Sequence, residues 1–82
     1  MQMGLLWFDN DPHRDLAAKI MDAAGRYREK FGSAPDTCYV NQGELNGQNL
    51  TLALAGAPQA RLRVVPASNV LPHHFWVGVE GA

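Results

Sequence analysis

The sequence predicts an α+β domain with one long helix packed on one face of a mixed four- to five-stranded sheet, in the order β-α-β-β-β-β. Two observations predict this class. Over most of the chain, short apolar runs alternate with polar residues and end at Gly or Pro, which is typical of strands and turns. One segment instead repeats apolar residues at the three- and four-residue steps of an amphipathic helix. Its apolar stripe consists of Leu16, Ile20, Ala23 or Ala24, Tyr27 and Phe31.

The first predicted strand, Leu5 to Phe8, is apolar on both faces. This pattern favours a buried position in the centre of the sheet. The helix should follow at once, because Asp11 can cap its first amides and Pro12 fits its first turn. We expect it to run from about Pro12 to Phe31 and to end at Gly32.

Two strands are predicted after the helix. Thr37 to Val40 has the β-branched and aromatic character of a strand, and a right-handed crossover links it to the first strand if the two are parallel in one sheet. Residues 42–49 are polar, with Asn46-Gly47 as a turn signal. Residues 50–55 then alternate leucine with Thr51, Ala53 and Ala55, which predicts a third strand buried on one side.

Two further strands complete the predicted sheet. Gly56-Ala57-Pro58-Gln59 should break the chain before Arg61 to Val65, which alternates charge with aliphatic residues. Pro66 should limit that strand or place it at an edge. The last strand is expected from about Phe75 to Val79. Because a single helix covers only one face of such a sheet, the other face must meet water or a partner.

Length and composition indicate a single domain over residues 1–82. The formal net charge of −1 gives no overall attraction to nucleic acid or to an anionic membrane. Cys38 is the single cysteine, which excludes an intramolecular disulfide and fits a reducing compartment. The N-terminal apolar run stops at Asp9, too early for a signal peptide, and no segment reaches the roughly 20 apolar residues of a membrane span. We therefore expect a cytoplasmic protein without membrane contact.

The glycines Gly43, Gly47 and Gly56 form neither of the phosphate-binding loop patterns. We expect no cofactor. Enzymatic activity stays open at this point, with a preference for a non-enzymatic role.

The segment Val70–Glu80 holds two histidines and a tryptophan in an apolar run. In a strand, Phe75 and Val77 would face the core, while His74 and Trp76 would face the other way. The helix-free face would then hold a candidate binding surface made of Trp76, His74, Arg61, Arg63 and Tyr39. A large exposed aromatic favours a binding or assembly module that self-associates, as a homodimer through a sheet face or edge, or docks a protein partner.

A second hypothesis is a metal-dependent hydrolase. Asp9, Asp11 and His13 cluster where the first strand meets the helix, and carboxylates at such a junction can bind Mg²⁺ or Mn²⁺. His73 or His74 would complete the site. The competing interpretation is that these carboxylates only cap the helix and close turns.

A third hypothesis is single-stranded nucleic-acid binding on the face that carries arginines and aromatics. Against it, no RNP-like consensus is present, and arginines that alternate along a strand are usually its solvated face.

The remaining reactive side chains favour structural roles. His73 and His74 would point to opposite faces of a strand, so we expect one imidazole hydrogen-bonded in the core and the other exposed. A catalytic pair of Cys38 with a histidine is conceivable, but a thiol in an apolar strand is expected to be buried and unreactive.

Three pieces of the chain resemble those of small uncharacterised bacterial proteins. They are Asp9 to Asp11 before a long helix, Cys38-Tyr39-Val40, and Val70–Glu80 with its VLPxHFWxGVE-like pattern. The resemblance implies a bacterial, cytoplasmic origin and assigns no site residue.

Overall fold

One long helix covers one face of a five-stranded mixed sheet, which confirms the predicted α+β class. The structure, a computed structural model, describes residues 4–54 and 57–80. The sheet order is β1-β5-β2-β4-β3. The strands are β1 (Gly4–Phe8), β2 (Thr37–Asn41), β3 (Leu50–Leu54), β4 (Ala57–Ala67) and β5 (His74–Gly78), and the helices are α1 (Leu16–Phe31) and α2 (Gln42–Leu45).

Strand directions explain how the helix connects the sheet. β2 and β4 pair in parallel, whereas β1 with β5, β5 with β2 and β3 with β4 are antiparallel. β1 and β2 are therefore parallel to each other, as the predicted crossover requires. They are not neighbours, because the last strand of the chain inserts between them.

The hydrophobic core lies between α1 and the sheet. The helix buries Ile20 and Tyr27 on its inner side, and the strands present every second residue to it. Phe75 and Val77 of β5 are fully buried there, as is Leu62 of β4. The opposite set of strand residues faces away from the helix, so the sheet has a helix-free face.

The helix begins later than the sequence predicts, at Leu16 with Asp15 as its N-cap. The Asp15 carboxylate accepts a hydrogen bond from the Ala18 amide at 2.8 Å. Asp11 is not the cap, because its carboxylate closes a local turn by accepting from the His13 amide at 2.9 Å. The predicted end is confirmed: Gly32 has φ 76 and its amide donates to the Arg28 carbonyl.

β1 lies at an edge of the sheet, so the prediction of a central position was wrong. Its Leu5 and Trp7 pack against the core, whereas Leu6 and Phe8 on the helix-free face are 55% and 54% exposed. The strand is apolar on both faces, but only one of these faces is buried. The other leaves an apolar edge in contact with solvent.

β4 is longer than predicted and is an interior strand. It includes residues 57–59, which the sequence assigns to a break, while Gly56 and Ala55 lie outside the described residues. Pro66 neither ends the strand nor marks a sheet edge, since it pairs with Val40 of β2. The Arg63 amide donates to the Asp36 carbonyl, on the β2 side of the strand. Because backbone direction alternates along a strand, the Pro66 nitrogen points to the opposite side, toward β3. The pairing with β3 does not extend beyond Val64, so the missing N–H of Pro66 costs no sheet hydrogen bond.

The polar segment after β2 contains a short helix, α2, that the sequence did not indicate. The Asn41 side chain caps it by accepting from the Gly43 amide at 2.9 Å. The predicted turn at Asn46-Gly47 is confirmed, because both residues have left-handed backbone with φ 50 and φ 79.

Candidate functional site

The sheet brings the predicted binding residues onto its helix-free face. Trp76 pairs with Leu6 on one side and with Tyr39 on the other, and Tyr39 pairs with Val65. Together, Leu6, Trp76, Tyr39 and Val65 form a row across four strands, which is called the apolar row below. The sequence left open whether the strand register would place Tyr39 beside Trp76, and the pairing of β2 with β5 does so.

The two arginines lie on the same face, beyond the apolar row. Arg63 pairs with Thr37 of β2, and Arg61 pairs with Ala53 of β3. Both side chains are exposed, whereas Leu62 between them is fully buried on the helix side. The alternation predicted for this strand therefore holds.

A cleft of about 500 Å³ opens on this face between the apolar row and the loop that joins β4 to β5. The loop is fastened to the sheet, because the Asn41 Nδ2 donates to the Val70 carbonyl at 2.9 Å. Trp76 and Tyr39 supply aromatic surface to the cleft, and Leu71 forms part of its rim at 67% exposure. Its lining comprises Leu6, Tyr39, Ala67, Asn69, Val70, Leu71, His74 and Trp76. A cleft of this kind accepts apolar groups and offers few polar contacts.

Gly4 makes room for the Trp76 indole at the outer edge of the face. A Cβ built on Gly4 would lie 3.0 Å from Trp76 Cε2 and 2.9 Å from the Val77 carbonyl oxygen. Any larger residue at position 4 would therefore push the indole away. The position of the Trp76 indole therefore depends on the space that Gly4 leaves on the neighbouring strand.

The histidines differ from the prediction, since neither lies in the core. His74 is half-buried on the helix-free face, where its Nδ1 is 2.9 Å from the Pro72 carbonyl and its ring is 4.9 Å from that of Phe8. A carbonyl can only accept, so Nδ1 carries the proton. His73 is exposed in the preceding turn, with φ 66. The last strand, expected from about Phe75 to Val79, is β5 over His74–Gly78, so His73 lies in the turn just before it.

The Tyr39 hydroxyl is tied to the C-terminal segment. It donates to Glu80 Oε2 at 2.8 Å, and this hydrogen bond raises the pKa of Tyr39 above its ordinary value. Asp36 fixes Glu80 in turn, because its Oδ1 accepts from the Glu80 amide and from Thr37 Oγ1, each at 2.8 Å. Tyr39 is therefore neutral and oriented at ordinary pH, a positioned aromatic rather than a base.

The predicted metal residues are engaged in turns and ion pairs. Asp9 Oδ1 accepts from the Asp11 amide at 3.0 Å, and Asp9 Oδ2 lies 3.2 Å from the Arg14 guanidinium, which also contacts Asp22. His13 is exposed. Within residues 4–54 and 57–80, no three His, Cys, Asp or Glu side chains are arranged to hold a metal ion. The structure gives the hydrolase hypothesis no ligand set in this part of the chain.

Cys38 faces the helix, on the opposite side of the sheet from His74, so the two do not form a nucleophile–base pair. The thiol is fully buried, and burial raises its pKa from 9.0 to about 12. A neutral thiol in an apolar core is a poor nucleophile.

This burial predicts how stability depends on pH. The thiol of the unfolded chain ionises near pH 9.0, whereas that of the folded protein stays neutral up to about 12. The contribution of Cys38 to stability is therefore present below pH 9 and decreases as the pH rises toward 12. Urea unfolding from pH 7 to 10.5 should show a steeper loss of stability for the parent protein than for Cys38→Ala. Parallel pH profiles would contradict the prediction.

Exposed apolar side chains are the part of the site that the sequence did not indicate. In the described part of the chain, three large hydrophobic residues are more than half exposed, namely Leu6, Phe8 and Leu71. Leu6 and Phe8 belong to β1, and Leu71 borders the cleft, so all three lie on the helix-free side. The one available signal was the apolarity of both faces of β1.

Comparison of the chain with protein-family models, with curated proteins and with solved structures gave no match. Neither helix in the described part of the chain combines the length and apolarity needed to cross a membrane. The candidate site is therefore defined by the geometry of the helix-free face.

Proposed function

We propose that this protein is a non-enzymatic assembly module that forms a homodimer through a face or an edge of its sheet, with contacts on the helix-free side. One observation carries this proposal: the large apolar side chains that are exposed in the described residues, Leu6, Phe8 and Leu71, all lie on that side. Large contiguous apolar patches are uncommon on the surface of monomers, and where they occur they mark interaction sites.

The charge of the chain also favours a second copy as the partner. The formal net charge is −1, so two copies repel each other only weakly. The aromatic residues next to the exposed patch, Trp76 and Tyr39, are of the kind enriched at the core of protein interfaces. No cofactor is needed for such a role.

Replacing Trp76 with Ser should weaken the homodimer at least about tenfold, because the indole pairs with the exposed Leu6 of β1 and aromatic contacts of this kind often dominate interfaces. The measurement is the solution mass by light scattering over a concentration series, with the parent protein at twice the 9.0 kDa mass of the chain. Met21→Ser is the matched control, since Met21 is half-buried on the helix side.

The control variant should remain a dimer. An equal loss of mass in Met21→Ser would mean that general destabilisation, and not the helix-free side, is responsible. A parent protein that stays at 9.0 kDa at every concentration would contradict the proposed function.

Single-stranded nucleic-acid binding is a second candidate, supported by the position of Arg61 and Arg63 on the same face as Trp76 and Tyr39. It predicts that an oligonucleotide quenches tryptophan fluorescence at low salt and that added salt reverses the effect. Arg63→Ala should abolish the quenching, whereas Arg28→Ala, an exposed position on the helix, should not. A flat titration at low salt would remove this candidate.

We also propose that the module acts in the bacterial cytoplasm. The resemblance of its three sequence segments to small bacterial proteins supports this location, as does a lone free thiol, which is typical of a reducing compartment.

A further inference from the structure

In the described part of the chain, the side of β1 that faces away from β5 is an unpaired sheet edge. Among the described residues, β5 is the only strand that pairs with β1. The Asp9 amide donates to the His73 carbonyl, so the backbone of Asp9 points toward the β5 side. Since backbone direction alternates along a strand, the N–H and C=O groups of Gly4, Leu6 and Phe8 point outward, away from β5.

This edge lacks the features that usually prevent edge-to-edge pairing. β1 has the sequence Gly-Leu-Leu-Trp-Phe, without a charged residue or proline, and its pairing with β5 is regular from end to end. The opposite edge, β3, is irregular between Ala53 and Leu54 and carries only Thr51 and Ala53 on the helix-free face. Of the two edges, β1 is the one suited to adding a strand.

We propose that two copies of the chain join through β1, antiparallel, about a two-fold axis at Leu6, to form one continuous ten-stranded sheet. This inference rests on the homodimer proposed above and specifies how it is built. A two-fold axis perpendicular to the sheet leaves both helix-free faces on the same side, so both clefts stay open.

The register follows from the outward-pointing groups. Leu6 of each copy would exchange two backbone hydrogen bonds with Leu6 of the other, and Gly4 would do the same with Phe8. The pairing of Gly4 with Phe8 is complementary in size, because Gly4 has no side chain and lies beside the Trp76 indole. The exposed Phe8 ring would thus meet the tryptophan of the second copy, and the exposed Leu6 side chains would meet each other.

The helix side of the same edge is compatible with this arrangement. A shallow groove there is lined by Leu5 and Trp7 together with Arg26, Glu29 and Lys30, which carry both signs of charge. Two-fold symmetry can set Arg26 of one copy against Glu29 of the other. The Trp7 Nε1 on this side is buried and has no acceptor among the described residues.

Disulfide trapping tests the register. In this arrangement the two Leu6 Cα atoms lie about 5.5 Å apart, within the range that a disulfide spans. The two Phe8 residues are separated by four positions along the strand, about 13 Å, which is too far. Leu6→Cys should therefore crosslink nearly completely under mild oxidation, as read on a non-reducing gel. Phe8→Cys, equally exposed on the same strand and face, and the parent protein, whose Cys38 is buried, should not.

Solution mass, measured on the same samples before oxidation, separates the two proposals. A dimer in which Leu6→Cys crosslinks no more than Phe8→Cys would overturn pairing through β1 while leaving the homodimer intact. Equal crosslinking of both variants would also overturn the register, because it indicates random collision. A monomer would contradict both the homodimer and its proposed register.

Discussion

Replacing Phe75 with Ala should lower the free energy of unfolding by about 3–5 kcal/mol. The side chain is fully buried between α1 and the interior strand β5, so truncation leaves a cavity that the surrounding core cannot easily fill. Urea unfolding followed by circular dichroism measures the loss. A chain of this size has a small margin of stability, so the variant should be partly unfolded near 37 °C.

Phe8→Ala provides the matched control, because it removes the same side chain from a position that is 54% exposed. Measured at a concentration where the chain is monomeric, it should change the free energy of unfolding by no more than about 1 kcal/mol. Comparable losses in the two variants would contradict the assignment of β5 to the interior and β1 to the edge.

Replacing Leu6 with Lys should convert the homodimer into a monomer over the micromolar range. Two lysines would meet at the two-fold axis, where like charges oppose pairing, and two leucines would lose their burial. Full burial of an exposed leucine contributes about 1.5–3 kcal/mol, and Leu6 is 55% exposed before association, so the loss at two sites weakens association on the order of 10- to 100-fold, with the charge repulsion in addition. Sedimentation or light scattering gives the change in dissociation constant.

Thr51→Lys is the control for this variant, since Thr51 is exposed on the other edge strand and on the same face. It should leave the mass of the dimer unchanged. Leu6→Lys should also keep the unfolding midpoint of the monomer, because the Leu6 side chain has no place in the core. A Leu6→Lys protein that remains dimeric would rule out an interface at β1.

The helix and the strands were predictable because each follows from a local period. The apolar stripe of α1 and the alternation of Arg61, Leu62 and Arg63 both depend on residues a few positions apart. The beginning of α1 was not predictable, because Asp11 and Asp15 are both of a residue type that caps helices. The sequence alone does not show that Asp11 closes its own turn and leaves the cap to Asp15.

The position of β1 could not be predicted, because apolarity on both faces has two possible causes. A central strand buries both faces in its own chain, whereas an edge strand can reserve one face for a partner. The pattern alone favours the first cause, whereas the structure places Leu6 and Phe8 at the surface.

The cleft depends on contacts between residues that are distant in sequence. Asn41 fastens the loop at Val70, and Tyr39 holds Glu80, which is 41 positions away. No local pattern encodes such pairs. Tyr39 and Trp76 of the helix-free face were nevertheless predictable, because their placement needs only the strand period and a compatible register.

Hydrogen exchange of the β1 amides in the unmodified protein tests the central claim most directly. The Leu6 and Phe8 amides point outward, whereas those of Leu5 and Trp7 point toward β5. Self-association through β1 predicts slow exchange at all four amides, with the protection of Leu6 and Phe8 decreasing as the protein is diluted. Protection of Leu5 and Trp7 alone, with fast exchange at Leu6 and Phe8 at every concentration, would contradict it.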